Sequence, residues 1–181
     1  MKKIVITFGL ISGALASSQM AVIVPFVEQI GWDRAVYFGY TAIVLSFILV
    51  FFGIKRYRDN VGNGQVSFGK AFQVGIFITL ISCVFYVLTW QVLYYTVFHD
   101  FMDKYTVHMM EKAKSEGASE AELKKQQAEM TEFKQAYENP LVNAAYTFME
   151  PFPVGLLVTL VSAAILRKKG GAVPIQQATA S

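Results

Sequence analysis

Cysteine and histidine are scarce, with one cysteine and two histidines in 181 residues. Cys83 has no second cysteine to pair with and lies inside an apolar block, so there is neither an intrachain disulfide nor a thiolate metal site. Charge is scarce as well. Asp, Glu, Lys and Arg together make up 16% of the chain, with a formal net charge of +3. No HExxH, GxSxG, P-loop or dinucleotide fingerprint occurs, which leaves covalent and acid–base catalysis little material. The reading is of a protein that is not an enzyme and needs no cofactor. Its basic residues flank apolar blocks instead of forming one patch, which excludes a nucleic-acid partner.

Long apolar runs are what the chain has in quantity, at 54% hydrophobic residues. Four of them, at about 4–27, 35–54, 71–98 and 148–166, are long enough for a bilayer, which takes about 20 mainly apolar residues. The expected fold is therefore all-α: an integral membrane four-helix bundle forming one domain over 1–169, with a flexible tail at 170–181. The lipid bilayer is its first partner. The first run imitates a secretory signal, since "MKKIVITFGLISGALASS" has a basic start and an Ala14-x-Ala16 site. The apolar stretch continues through "MAVIVPFV", so it is read as a retained anchor.

Lysine and arginine placement orients the bundle. Lys2 and Lys3 precede the first span, Lys55, Arg56, Arg58 and Lys70 fill the second connection, and Arg167 to Lys169 follow the fourth span. The first connection offers only Arg34, offset by Glu28 and Asp33. Both termini are thus expected in the cytoplasm and the long acidic connection at 98–150 outside. For Lys55, Arg56 and Arg58 at the inner interface, orientation and lipid contact suffice as a role.

That connection has helical structure of its own. Phe98, Phe101, Met102, Tyr105 and Met109 recur at three- and four-residue steps, so a helix is expected to continue out of the third span to Gly117. "SEAE", Ser119 to Glu122, reads as a capping box, and Leu123, Met130, Phe133 and Tyr137 give the second helix an apolar stripe ending before Asn139-Pro140. An extracytoplasmic helical hairpin over about 98–139 results. Its apolar stripe is read first as packing on the first hairpin helix, with a second copy, a membrane-protein partner or the bundle's outer face as the alternatives.

Three stretches, "FFGIKRYRDN" with "QVSFGKAF", "GASEAELKKQQAEM" and "NAAYTFMEPFPVGLLVTLVSAAILRKK", resemble the domain-of-unknown-function 4199 family. The resemblance runs from the first span to Lys169. It implies a multi-span protein of the bacterial cytoplasmic (inner) membrane, and it carries no catalytic residues with it.

Glu150 is the one charged residue inside any of the four runs, and Pro151 and Pro153 follow it. It lies 17 residues before Arg167, about 25 Å of helix, which puts it close to the outer interface. The simpler reading is a helix that starts there, where an acid favours the N-terminus and prolines cost no hydrogen bond. The alternative is a helix running from Leu141 and broken at the prolines, with the carbonyls of Thr147 and Met149 facing a polar cavity. Glu28, Arg34 and Glu150 are a candidate polar cluster at the outer interface. They suggest two functions: a non-enzymatic accessory or assembly component with a structural salt bridge, or a small proton- or ion-coupled carrier working through Glu28 and Glu150.

The remaining patterns have structural readings. Gly9, Gly13 and Ser17 form a small-residue stripe for helix packing, with Gly39, Ala42 and Ser46 a weaker one. Trp32, Tyr37, Trp90, Tyr94 and Tyr95 read as an interfacial aromatic belt with no further role. His99, Asp100, Asp103 and His108 do not complete a metal-ligand spacing.

Overall fold

The computed structural model describes residues 1–168; Lys169 and the tail expected at 170–181 lie outside the described residues. Helices α1 (Lys2–Ile23), α2 (Val27–Ile30), α3 (Trp32–Asn60) and α4 (Phe68–Thr96) are followed by α5 (Phe101–Ser115), α6 (Glu120–Tyr137), α7 (Pro140–Met149) and α8 (Phe152–Leu166). Pro25 sits in a short 3₁₀ turn that joins α1 to α2. Gly31, at φ +91°, supplies the left-handed backbone for the reversal into α3. Four segments are long and apolar enough to cross a membrane: Lys2–Ile30, Trp32–Asn60, Phe68–Thr96 and Pro140–Leu166. This is an all-α integral membrane bundle. A 29-residue helix such as α3 is about 43 Å long, so it projects beyond a hydrocarbon core of about 30 Å.

Helices α3 and α4 form the centre, and α1 and α8 each pack across both of them. Small residues set the spacing. A Cβ on Gly9 would stand 2.7 Å from the Cβ of Ile81, and one on Gly13 would stand 2.7 Å from the Cβ of Phe85. The stripe on α1 thus lies against α4, where backbone meets backbone and dispersion contacts replace the hydrophobic drive that lipid does not provide. Buried hydroxyls find partners across the same seams. Ser12 donates to the Ser46 carbonyl at 3.0 Å, Ser82 donates to Ser12 at 3.2 Å, and Thr79 meets Thr159 at 3.0 Å. Ser17 instead bonds back to the Gly13 carbonyl.

The basic end is closed by an antiparallel bridge. Val66 and Lys168 exchange backbone hydrogen bonds of 3.1 and 2.9 Å, which brings the second connection against the end of α8.

Two boundaries differ from the sequence expectation. The third span does not run on into the hairpin: α4 stops at Thr96, and the chain turns through Val97–Asp100 before α5 begins. The gain is burial, because the turn lets Phe101 reach back to Trp90, with ring centroids 5.0 Å apart. The fourth span begins at Pro140, not near 148, and it is one segment kinked at Glu150–Pro151. Asn139 caps its start by accepting from the Leu141 N–H at 2.9 Å.

The hairpin turn is built from local chemistry. Gly117 adopts φ +85°, and the Ala118 N–H closes back on the Ala113 carbonyl. Ser119 and Glu122 form a reciprocal capping box at the start of α6. The Ser119 N–H and hydroxyl, both bonded to Glu122, hold its carboxyl below the ordinary range. A depressed folded-state pKa stabilises above the unfolded value and is lost as pH falls through the folded one. Acidification below the ordinary carboxyl range should therefore lower the protection of the first-turn amides of α6 relative to their intrinsic exchange at the same pH, and Glu122→Gln should flatten that dependence.

Candidate functional site

The kink places the one charged side chain of the fourth span, Pro140–Leu166. Pro151 and Pro153 lack N–H groups, so the carbonyls of Thr147 and Met149 lose the donors that would continue the helix. Glu150, the residue at the break, turns its carboxylate inward and accepts a 3.0 Å hydrogen bond from the Tyr86 hydroxyl. Tyr86 lies on α4 and is 1% exposed. Its oxygen accepts in turn from the Gln19 amide of α1 at 3.2 Å. Three helices thus meet in one chain of hydrogen bonds, Gln19 to Tyr86 to Glu150. The reading of Glu150 as the first turn of a helix that starts at the membrane surface is corrected, because α7 supplies ten helical residues before it.

These groups line a cavity of about 340 Å³ between α1, α3, α4 and α7. Its floor carries Gln19, Tyr86 and Glu150, and Tyr40 stands on its α3 wall. Towards the hairpin it becomes aromatic, with Trp32, Trp90, Phe101 and Tyr137. No Lys, Arg or His lines it among the described residues. An ionised Glu150 there has a tyrosine donor and no cationic side chain, and a charge removed from water without a counter-charge is costly.

The hairpin is seated over this cavity by aromatic packing. Trp32 lies 5.5 Å from Phe101, 5.5 Å from Tyr105 and 5.4 Å from His108, centroid to centroid, and is stacked on the last. Trp90 donates its indole N–H to the Tyr137 hydroxyl at 2.9 Å. Tyr137 and Phe133 pack on Tyr146 of α7, so part of the apolar stripe of α6 is spent inside the molecule. Asn143, fully buried on α7, accepts from Gln91 at 2.9 Å while its own Nδ2 has no partner among the described residues. Ion pairs add a rim: Lys104 with Glu28 at 3.5 Å, Lys112 with Asp33 at 3.0 Å, and Lys134 with Asp103. Hydrogen bonds to Asp100 and to Asp33 hold the Lys104 and Lys112 ammonium groups above the usual lysine range. Exposed pairs of this kind are screened by water and contribute little, so the rings are the main anchor. Trp32→Ala should loosen the hairpin by about 2 kcal/mol, read as roughly thirtyfold faster amide exchange across α5 with the spans unaffected.

The structure does not gather the candidate cluster of Glu28, Arg34 and Glu150. Glu28 and Arg34 line a separate outer cleft with Asp33 and Lys104, while Glu150 faces the inner cavity, and Trp32 borders both. No ion pair joins any two of the three among the described residues. Asp100, Asp103 and His108 line that same outer cleft, but the aspartates are on lysines and His108 is on Trp32, and no group of metal-ligating side chains forms among the described residues.

The expected aromatic belt is corrected in part. Tyr37 is 71% exposed and sits at the surface, but Trp90 and Tyr94 are buried, and Trp32 and Trp90 are cavity walls. Hydropathy places aromatics near span ends without saying whether they face lipid or protein. Gln19 and Tyr86 were the missed site residues. Their signal was a polar atom well inside an otherwise apolar span, where an unpaired group is costly.

A family model described as "Protein of unknown function (DUF4199)" matches residues 7–168. No curated protein and no solved structure matches.

Proposed function

The chain belongs to the family of unknown function DUF4199, and from the geometry of its cavity we propose a non-enzymatic accessory component of the bacterial cytoplasmic membrane that binds a ligand at Glu150. One observation carries the reading: an inward-facing carboxylate at a helix break, in an aromatic cavity lined by no cationic side chain. A purely structural acid would be expected to have a counter-charge. A binding site leaves that role to the ligand.

The orientation proposed with it puts Lys2, Lys3, Lys55, Arg56, Arg58 and Arg167 in the cytoplasm and the hairpin outside, by the positive-inside rule. A reporter fused after Ser119 should be active outside and one after Lys169 inside. The reverse pair would place the cavity at the inner face.

Binding sites are commonly kept at the expense of stability, and this gives a direct test. Glu150→Gln keeps the acceptor for Tyr86 and removes the uncompensated charge. Without added ligand, the purified variant should be more stable by about 1 kcal/mol, a rise of about 2–4 °C in apparent melting midpoint for a chain of this size. A fall of similar size would mark Glu150 as a structural acid.

An ion-coupled carrier has less support. The Ser12–Ser82 and Thr79–Thr159 contacts are polar steps between α1, α4 and α8, yet fully buried Ile43, Phe47, Ile54 and Ile78 fill the interior around them. Glu28, its second acid, belongs to another cleft. Proton flux through proteoliposomes that is lost in Glu150→Gln would restore it.

A further inference from the structure

The cavity has a side entrance. Helix α3 packs on α8 and on α1, and α7 packs on α4, but α3 and α7 have at most glancing contact. Along this fissure Val36 is 57% exposed, Tyr40 44% and Tyr146 54%, and all three also line the cavity. Tyr40 is eight residues along α3 from Trp32 and Glu150 ten along α7 from Pro140, so the fissure opens roughly 12–15 Å below the hairpin ends of the spans. At that depth the surroundings are lipid. The route from water is narrower, because Trp32, Trp90 and Phe101 interlock beneath α5.

Resting on the reading that the cavity binds a ligand at Glu150, we infer that the ligand is a membrane amphiphile with an organic ammonium head, entering sideways between α3 and α7. Charge complementarity sets the head. Among the described residues the cavity's only charged side chain is a carboxylate, and no cationic side chain lines it to match a phosphate or carboxylate head. The walls suit the same group, since ammonium is drawn to the faces of Trp and Tyr rings, and Trp90, Tyr40, Tyr137 and Tyr146 surround the site. Size sets the rest. About 340 Å³ is at the lower end for a ligand pocket, enough for a head and a few methylenes, so a longer tail stays in the fissure and the bilayer.

The chain has two tryptophans, and both line the cavity, so emission from the intact protein reports occupancy. In dodecyl maltoside micelles it is titrated with dodecyltrimethylammonium, tetramethylammonium and dodecanoate. The expected order is dodecyltrimethylammonium at least tenfold tighter than tetramethylammonium, with no saturable response to dodecanoate. Glu150→Gln should weaken the first by at least tenfold, and Val36→Phe, which narrows the fissure, should weaken it while sparing tetramethylammonium. Equal affinity for the two cations, with both lost in Glu150→Gln, would overturn the amphiphile inference and leave cation binding at Glu150 standing. Dodecanoate binding as well as its cationic counterpart would overturn the charge assignment. No saturable response to any probe in the wild-type protein would overturn both readings.

Discussion

Gly13→Val is expected to cost about 3 kcal/mol and to disrupt the hairpin end of the bundle. The added Cβ would stand 2.7 Å from the Cβ of Phe85, 3.1 Å from its Cγ and 3.1 Å from the Ser82 carbonyl oxygen. The Cγ can turn about χ1, but the Cβ is fixed by its backbone and the carbonyl is backbone. Helix α1 must therefore lift off α4. The Ser82–Ser12 hydrogen bond at 3.2 Å is one residue away and goes with it, and the 3.2 Å contact from Gln19 to Tyr86 lies under two turns further on. Gly69→Ala is the control, since nothing lies within 4 Å of its Cβ, and its stability should be unchanged or slightly higher. Thermal or denaturant unfolding of the detergent-solubilised variants measures both. A Gly13→Val protein as stable as wild type would mean that α1 and α4 are further apart than described.

Tyr86→Phe carries the second large effect, again about 3 kcal/mol of destabilisation. The change removes one oxygen and no packing volume to speak of. What it leaves behind is the cost: Glu150 loses its 3.0 Å donor, and the Gln19 amide loses its acceptor, both in a cavity lined mainly by apolar and aromatic groups. A bond to a charged acceptor contributes more than a neutral one, so the loss should shrink when the charge is removed. In the Glu150→Gln background the same substitution should cost about half as much. This double-mutant cycle isolates the pair, because the two side chains touch and distant sites would simply add. Equal costs in the two backgrounds would mean that the hydroxyl is not coupled to the Glu150 charge and acts through its bond to Gln19.

How far the sequence could be read depended on which forces act locally. The existence of the spans, the capping box at Ser119 and the turn at Gly117 are written in neighbouring residues, whereas the start of the fourth span, at Pro140 and not near 148, was missed. The reversal at Val97–Asp100 was missed too, because the three- and four-residue spacing of Phe98, Phe101 and Met102 continues smoothly through it. Only the distant Trp90 explains why the chain breaks there. Glu150 was conspicuous as the one charge in an apolar run. Its partner was harder to see, since α4 is hydrophobic on every side and the only signal for Tyr86 is a hydroxyl well inside that span. The same limit applied to Trp32 and Trp90, whose position near span ends suits a belt and a cavity wall equally. Residue counting from the span ends puts Glu28 and Glu150 near one level and suggests a pair, but Glu28 reaches Lys104 of the hairpin while Glu150 lies deeper in the bundle. They are separated by Trp32, a tertiary fact that no spacing encodes. The fissure between α3 and α7 is more remote still, because it follows from how two non-consecutive helices lean on α4 and α8.

The central claim is that Glu150 faces a cavity open to the lipid, and chemical labelling tests it most directly. Dicyclohexylcarbodiimide is an apolar reagent that reaches carboxyl groups from the hydrocarbon phase and leaves a stable adduct. The intact protein in native membranes would be treated with it, digested and analysed by mass spectrometry. The account predicts an adduct at Glu150 in preference to Glu28, Asp33 and the acids of the hairpin, suppressed by dodecyltrimethylammonium and reduced by Val36→Phe. An unmodified Glu150, or one labelled no faster than the exposed acids and unprotected by the cation, would contradict it.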